Sequence, residues 1–479
     1  MAKTSPPYLK LPNELWDVIF SYGFVRSDFL ALSYLNKFFN EAVEPSLYSD
    51  FTWIPKASAA LPTLSKLKDR DIRPYTKTRR SQRPELPKGY FSHQAPYLLL
   101  KAILDSPKRA GYVKTARILA PTAEAGVFWD SYHARENGFD DAQFDTCKKT
   151  IDLLPPKHRS YWIDGLYKGK LEIIIGILLL RLTGLETIEV RLRDMPTSGS
   201  AVLYALRSPL AARPPLYRYP NVKSVSLSVD LKYGKPVRKV QYPDAEDIFH
   251  TYHPAPGIFD FTKLENFSLS SCCMGPWNRR LNAATNLKKL TLRHGRVNEH
   301  DLAVFLAATP FLEDLECELF YDNTILQYLD CVALKAALML VKSTLKRLVL
   351  DITVHYGGSW SLPWTVSGVM GDLKAFEELR YLDIPAILYS EEIYQASQSA
   401  SLMSWDETRV DYWGNRLPDG LEWFGIRVGR DSSITYGRLY GVEGCMDAYL
   451  RKRGVKRIVH VDYFEDEYDE DDEDDEDDN

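Results

Sequence analysis

The residues of this chain that could coordinate a metal ion are His250 and His253, followed by the adjacent pair Cys272 and Cys273. Imidazole nitrogens and thiolates are the usual protein ligands of zinc. Adjacent cysteines rarely both bind one tetrahedral ion, however, and the two histidines lie in a proline-containing segment that is typical of a loop. We therefore interpret these residues as surface histidines and core cysteines, and we expect neither a metal ion nor another cofactor.

The sequence also lacks the signatures of catalysis and cofactor binding that can be recognised without a structure. It contains no GxGxxG or GxxxxGK[ST] phosphate-binding loop, no GxSxG nucleophile elbow and no HExxH motif. An enzyme with an unrecognised site would need polar groups with perturbed pKa values that converge in a pocket. We expect instead a protein that is not an enzyme.

The cysteines and the apolar segments narrow the class of protein further. Six cysteines are spread through the chain, none of them in a CxxC pair, and residues 1–12 contain no long apolar run. We therefore expect no secretory signal, reduced thiols, and a cytoplasmic or nuclear location. The most apolar stretch, residues 171–182, is interrupted by Glu172 and Arg181 and is too short to span a bilayer, so we expect a core helix there and no membrane association.

Charge is distributed unevenly along the chain. Residues 465–478 contain 13 acidic side chains and no basic one. Such a run repels itself and has little apolar surface to bury, so we expect a disordered, solubilising tail. The basic residues are densest in segment 55–92, which also contains several prolines and some acidic residues. We interpret that segment as a linker or an exposed loop, and we expect no nucleic-acid partner.

An apolar triplet with the spacing L-x-x-L-x-L recurs from residue 113 onward. The copies are Val113/Ala116/Ile118, Leu185/Ile188/Val190, Val222/Val225/Leu227, Leu264/Phe267/Leu269, Leu287/Leu290/Leu292, Leu312/Leu315/Cys317, Leu345/Leu348/Leu350, Leu379/Leu382/Ile384, Leu421/Phe424/Ile426 and a shortened Val455/Ile458. The last two positions alternate as in a strand that buries one face, and the helical stretch before each copy would cover that face. One such unit cannot bury its apolar side, whereas a stack of them can, so the repeat predicts a curved parallel sheet with helices on one side.

Residues 11–48 show helical periodicity instead. Leu15 and Ile19 lie on one face of a first helix, and a second helical run is expected from a cap at Ser27-Asp28 to a stop at Pro45. So small a unit buries too little surface to be stable alone. We therefore expect it to pack against a partner or against the next domain.

The same residues carry a resemblance to the F-box family. The matching motifs are Leu11-Pro12-x-Glu14-Leu15, Ile19-Phe20, Asp28-Phe29-Leu30-Ala31-Leu32 and Pro45-x-Leu47-Tyr48. The strand triplets resemble the irregular leucine-rich repeats that follow the F-box in many fungal proteins. Together with the linker and the tail inferred from composition, the resemblance implies an α/β protein with four parts: an F-box-like helical segment at 9–50, a linker or loop at 55–92, a degenerate leucine-rich-repeat-like solenoid with a curved parallel sheet at 94–462 and a disordered acidic tail at 463–479.

The resemblance also implies a function. F-box proteins of this type are substrate-recognition subunits of SCF-type cullin–RING ubiquitin ligases, which act by proximity and perform no chemistry themselves. The helical segment would bind a Skp-type adaptor, and through it a cullin, while the array would bind an unknown protein substrate. The positions that match the adaptor contact are Leu11, Pro12, Leu15, Ile19, Leu30 and Leu35.

Tryptophans between the predicted strands are candidates for contact with the target protein. We expect most of the tryptophans to fill gaps between uneven repeats, but aromatic anchors are also common hot spots of protein interfaces. The candidates are Trp360, Trp364, Trp405 and Trp413.

A second class of function stays open at the level of sequence. The chain could be a ligase-independent leucine-rich-repeat scaffold whose helical start only caps the array. A docking helix leaves Leu11, Leu15 and Ile19 exposed, whereas a cap buries them against residues near 98–118.

Overall fold

The computed structural model describes residues 26–53, 95–120, 139–154, 156–193, 201–207, 219–230, 258–259, 261–271, 284–293, 297–322, 328–355, 365–385, 388, 415–427 and 450–460. The linker or loop expected at 55–92 and the tail expected at 463–479 lie outside these residues. The chain divides into two compact units, Met1–Lys289 (unit 1) and Leu290–Asn479 (unit 2). Each unit combines parallel strands with helices.

Two helices open the described part of unit 1, α1 (Arg26–Ser33) and α2 (Lys37–Tyr48). The expected cap at Ser27-Asp28 and the expected helix end at Pro45 are both wrong. Asn36 separates the two helices, because its side-chain oxygen accepts a hydrogen bond from the Phe39 N–H and caps α2. Pro45 lies in the last turn of α2, where its missing N–H removes one i→i−4 hydrogen bond, and the helix nonetheless continues to Tyr48.

The described strands of unit 1 are β1 (Asp50–Trp53), β2 (Thr115–Ala120), β3 (Thr187–Arg193), β4 (Ser224–Asp230) and β5 (Asn266–Ser271). They are parallel neighbours in chain order. β2 to β5 coincide with the triplets, so this part of the predicted parallel sheet is confirmed. No triplet predicts β1, whose Phe51 and Trp53 are buried. The N-terminal helices therefore lead directly into the sheet.

The helices that follow in unit 1 are α3 (Ala95–Asp105), α4 (Arg109–Tyr112), α5 (Asp141–Asp152), α6 (Pro156–Lys168), α7 (Leu171–Arg181) and α8 (Ala201–Arg207). The apolar stretch expected to form a core helix is α7, which contacts α3, α5, α6 and α8. Gly176 permits this packing, because a Cβ there would lie 2.6 Å from Cη2 of the buried Trp162. Among the described residues no helix has the length and hydrophobicity that crossing a membrane requires.

The described strands of unit 2 are β6 (Lys289–Arg293, which begins at the unit boundary), β7 (Asp314–Asp322), β8 (Tyr328–Asp330), β9 (Arg347–His355), β10 (Thr365–Ser367), β11 (Tyr381–Pro385), β12 (Trp423–Arg427) and β13 (Lys456–His460). β7, β9, β11, β12 and β13 are parallel neighbours in that order, and β8 pairs with β10 alone. Two helices, α9 (Glu299–Ala308) and α10 (Cys331–Leu338), precede β7 and β9. The predicted strand triplets are confirmed in this unit as well.

The described strands of both units bury the face that carries the triplets. The opposite face is partly exposed in β4, whereas in unit 2 some of its residues are buried too, such as Val349 of β9 at 2% exposed. Val225 and Leu227 of β4 are each 1% exposed, and Leu348 and Leu350 of β9 are fully buried. The side chain between Val225 and Leu227, that of Ser226, is half-exposed because successive residues of a strand point to opposite faces. Each unit is therefore leucine-rich-repeat-like, with an apolar inner side and an outer side on which side chains can vary.

Candidate protein-binding surfaces

Apolar side chains are exposed at the N-terminal end of the described chain. Leu30 of α1 is 48% exposed, and Tyr34 and Leu35 in the turn before α2 are 80% and 65% exposed. We call these three residues the N-terminal patch. Exposed apolar side chains this close together in the sequence are candidates for a docking surface. The other expected adaptor contacts lie outside the described residues and stay predictions: Leu11, Pro12, Leu15 and Ile19.

The opposite end of this helical pair is attached to the array through Glu44. This α2 carboxylate is 7% exposed, and it accepts hydrogen bonds from Lys108 Nζ at 2.8 Å and from Arg109 Nε at 2.7 Å. Burial raises the pKa of Glu44, but the two cationic hydrogen bonds outweigh burial and hold the pKa below its ordinary value. Arg109 also donates to the Ala102 carbonyl at 3.1 Å and stacks over the Tyr48 ring. These contacts join α2 to α3 and α4.

The backbone after α2 continues this attachment. The Ser49 carbonyl accepts hydrogen bonds from the N–H groups of Lys114 at 2.8 Å and Thr115 at 3.0 Å. The Lys114, Glu186 and Lys223 carbonyls each accept a similar pair of hydrogen bonds from the next repeat. Ser49 therefore occupies the position that these residues occupy later in the array. Helix α2 and strand β1 together behave as a first repeat.

Short polar side chains dominate the outer side of β4 and β5 in unit 1. Six of them stand in register and all are half-exposed: Ser224, Ser226, Ser228, Asn266, Ser268 and Ser270. We call them the hydroxyl face. Because these side chains are short, a partner could approach the sheet closely and exchange hydrogen bonds with the hydroxyl and amide groups. Their uncharged character distinguishes this surface from its neighbours.

Charged side chains beside the hydroxyl face are paired across strands. Arg117 of β2 contacts Asp50 of β1 at 2.6 Å and Glu189 of β3 at 3.5 Å. The three side chains are each between a third and a half exposed. This part of unit 1 therefore carries two acids and one arginine in a single cross-strand network.

Unit 2 presents acidic side chains at the corresponding outer positions. Four of them lie on the neighbouring strands β7 and β9, and we call them the acidic face: Asp314, Glu316, Glu318 and Asp351. Arg347 of β9 contacts Asp314 at 2.7 Å and Glu316 at 3.5 Å, and Arg293 of β6 also pairs with Glu316. The surface thus already holds cations of its own.

Two aromatic residues extend this surface across β11 and β12. Tyr381 and Trp423 lie opposite each other in register and are both half-exposed. The Arg347 guanidinium lies 5.1 Å from the centre of the Tyr381 ring, and Lys456 Nζ lies 5.1 Å from that of Trp423. These distances are typical of cation–π contacts. The outer side of unit 2 therefore combines acids, aromatic rings and cations.

Asp383 occupies a space that Gly425 leaves open. The Asp383 side chain belongs to an outer position of β11, yet the residue is only 1% exposed. A Cβ on Gly425, its register neighbour on β12, would lie 2.9 Å from Asp383 Oδ1. Any side chain at position 425 would therefore displace this carboxylate.

Buried polar groups of unit 2 are poor candidates for chemistry. Burial raises the pKa of Cys331 to about 12 and also raises that of the buried Cys317. Burial raises the pKa of Tyr321 as well, and its hydroxyl donates to Glu299 at 2.7 Å. The thiolate is the nucleophilic form of cysteine, so these thiols are held in their inert form. The histidines and cysteines considered above as zinc ligands lie outside the described residues.

Trp360, Trp364, Trp405 and Trp413 all fall outside the described residues, so their contact with a target protein stays a prediction. Outer strand positions such as Glu316 and Asp351 were not predicted from the sequence as candidate contacts. A usable signal was present, because the residue between the last two apolar positions of each triplet must point to the opposite face of the strand.

The comparisons with known proteins give little further information. No protein-family model matches the chain, and no curated protein matches it. A search of solved structures found an internalin from Listeria monocytogenes that is 12% identical, with 59% of this chain and 77% of the internalin covered and a TM-score of 0.22. A likeness at that score carries no argument, so the repeat architecture rests on the strands and their register described above.

Proposed function

We propose that this chain is the substrate-recognition subunit of an SCF-type cullin–RING ubiquitin ligase. A leucine-rich-repeat-like architecture indicates a scaffold for protein–protein interaction. The ligase role would define which proteins that scaffold binds. The N-terminal segment would bind a Skp-type adaptor and through it a cullin, while the array would bind the target protein. The chain would perform no catalytic step, since holding a target near the transfer machinery raises the rate by proximity. Such a role fits the cytoplasm or the nucleus.

The exposure of the N-terminal patch is the observation that carries this proposal. A segment that served only to cap the array would be expected to bury its apolar side chains against the array. Here the attachment is made by Glu44 and the Ser49 carbonyl, while Leu30 and Leu35 stay exposed. Both leucines belong to the positions that the F-box resemblance assigns to the adaptor contact. The segment is thus anchored at one end and presents apolar surface at the other, as adaptor docking requires.

Capture of the full-length chain by a Skp-type adaptor tests the proposal. A Leu30→Asp, Leu35→Asp double variant should abolish capture, because an unpaired charge buried in an apolar interface is very costly. Both leucines are exposed, so the variant should keep the circular dichroism and melting temperature of the wild type. Leu98→Asp is the matched control, since Leu98 on α3 is similarly exposed at 53% but lies outside the segment. Wild-type capture that survives the double variant would contradict the assigned contact.

A ligase-independent scaffold is the second candidate function. The repeat-like hydrogen bonds that the Ser49 carbonyl accepts from Lys114 and Thr115 support it, because a segment that continues the repeat pattern would cap the first predicted repeat. The same capture experiment separates the two candidates. If the folded wild-type chain does not bind any Skp-type adaptor, the scaffold proposal replaces the ligase proposal.

A further inference from the structure

The outer side of unit 1 carries a cation that lies beside the hydroxyl face. Arg191 of β3 is exposed, and it forms no ion pair with any residue that the structure describes. Glu189, two positions earlier on the same strand, contacts Arg117 of β2 instead. The Arg191 guanidinium is therefore available to an anionic group of a partner.

The neighbours of Arg191 in the sheet are neutral. Ser228 of β4 is its direct register partner, and Ser270 of β5 follows in the same row. Neighbouring strands lie about 4.8 Å apart, so a group that contacts Arg191 also lies beside the first column of serines. On the other side of Arg191, its register partner Leu119 of β2 is half-exposed. The surface therefore combines one cation with hydroxyl groups and a small apolar contact.

The hydroxyl face next to this arginine can be approached closely. Ser226 and Ser268 are register partners, are half-exposed, and make no side-chain hydrogen bond with the described residues. A serine hydroxyl both donates and accepts, so it can pair with either group of a peptide backbone. A segment with small side chains would come nearest to these hydroxyls. An extended polypeptide is thus the shape that suits the face.

The charge of the surface indicates which anion it fits. A guanidinium gives a carboxylate two parallel hydrogen bonds, and one arginine balances the single charge of that group. Phosphorylated segments are usually held by clusters of arginines, and nucleic acids by many basic side chains. Lys114 and Lys223 of unit 1 do not add to such a cluster, because both are paired with Glu186. Aspartate or glutamate is therefore the better complement.

We propose that Arg191 and the hydroxyl face of unit 1 bind an extended segment of a partner protein that carries one aspartate or glutamate among small polar residues. This inference rests on the proposed function, because the partner would be the target protein that the array recognises. The carboxylate would contact Arg191, and the backbone beside it would exchange hydrogen bonds with the serines. Binding would weaken as salt increases.

Selection of random heptapeptides displayed on phage tests this inference on the full-length chain. Peptides recovered on the wild type should carry one acid among small polar residues more often than the unselected library does. That enrichment should disappear on an Arg191→Gln variant, because glutamine carries no charge. Lys149→Gln is the matched control and should keep the enrichment, since Lys149 is also exposed but lies on helix α5.

A labelled peptide selected on the wild type then gives an affinity by fluorescence anisotropy. Arg191→Gln should weaken its binding roughly five- to tenfold, and so should replacing the acid of the peptide by its amide. The two losses should not add, because both remove the same contact. A Ser226→Ala, Ser268→Ala variant should also bind more weakly, while it melts at the wild-type temperature because both side chains are half-exposed.

Other occupants of the surface would give different results. Tighter binding of a phosphoserine analogue would indicate a phosphorylated partner, and displacement by a peptide of residues 465–478 would indicate the acidic run of this chain. Either result would overturn the inference, as would a selection without acid enrichment, equal binding to the wild type and Arg191→Gln, or unchanged binding to the serine variant. These assays need no adaptor, so a failed adaptor capture would refute the ligase role and leave their result standing.

Discussion

The hydroxyl face of unit 1 and the acidic face of unit 2 are built on the same backbone pattern and differ in the chemistry they present. On β4 and β5, outer positions such as Ser226 and Ser268 carry short neutral side chains in register. On β7 and β9, the corresponding positions carry Glu316, Glu318 and Asp351. The inner positions hardly differ, since the strands of both units bury leucine, valine and phenylalanine.

This difference shows that the inner and outer strand positions serve different purposes. Inner positions stabilise the repeat, and exposed outer positions are available for contact with a partner. Inner residues are restricted to apolar types, because each repeat must bury them against its neighbours. Outer residues that are partly exposed, such as Ser226 and Glu316, are not held to apolar types in this way, whereas buried outer positions such as Asp383 and Gly425 are restricted in size. The chemistry of any partner should therefore be read from the outer positions of a given pair of strands.

The largest expected effect tests whether the inner sides are equivalent. Leu227→Ala in β4 and Leu348→Ala in β9 should each lower the free energy of unfolding by about 2–5 kcal/mol, because both leucines are buried and a cavity would remain. Urea denaturation followed by circular dichroism measures the loss. A change below about 0.5 kcal/mol in either variant would show that the stability of its unit does not depend on the buried inner side chains. The inner sides of the two units would then not be equivalent.

A second pair of substitutions sharpens the difference between the outer sides. Gly425→Ala should lower the free energy of unfolding by about 1–3 kcal/mol, since the added Cβ would lie 2.9 Å from Asp383 Oδ1 and the carboxylate must move. Ser226→Ala on the hydroxyl face should change it by less than about 0.5 kcal/mol, because that side chain is half-exposed. Thermal melts of both variants provide the measurement. Equal changes in the two variants would mean that the outer sides of the two units tolerate substitution equally well.

A third prediction compares two arginines that each bridge two carboxylates. Arg117→Met in unit 1 and Arg347→Met in unit 2 should each cost roughly 1 kcal/mol or less at low salt, because both networks are partly exposed. High salt should erase most of the Arg117 effect but leave part of the Arg347 effect, since Arg347 also stacks on Tyr381. Melting temperatures across a salt series measure this. If high salt erases the Arg347 effect as completely as the Arg117 effect, stacking on Tyr381 does not stabilise unit 2.

The smallest expected effect concerns acid pH and the junction at Glu44 in unit 1. The Lys108 and Arg109 contacts hold the pKa of Glu44 below its ordinary value of 4.5, so the folded state binds this proton more weakly than the unfolded state. The stabilisation is therefore complete above pH 4.5 and is lost as the pH falls through the lower, folded-state pKa. Glu44→Gln should flatten the decline in melting temperature over that acid range. If Glu44→Gln melts with the same pH dependence as the wild type, the Glu44 contact does not contribute to the acid stability of unit 1.

The sequence by itself determined the inner side of the array. A strand alternates with period two, so the spacing of the triplets was enough to locate β2 to β7, β9 and β11 to β13. It also determined that residues 171–182 form a core helix, because an apolar stretch too short for a membrane must be buried in protein. These features are local, and they depend on the pattern of neighbouring residues alone.

Only the tertiary structure decided what lies on the outer side and how the N-terminal helices are attached. The register of β7 and β9 brings Glu318 beside Asp351, and Gly425 makes room for Asp383, although these residues are distant in the sequence. Glu44 likewise meets its partner Arg109 far along the chain. The physical reason is that strand register and side-chain contact are set by how complete repeats stack, and no local period specifies which outer residues become neighbours.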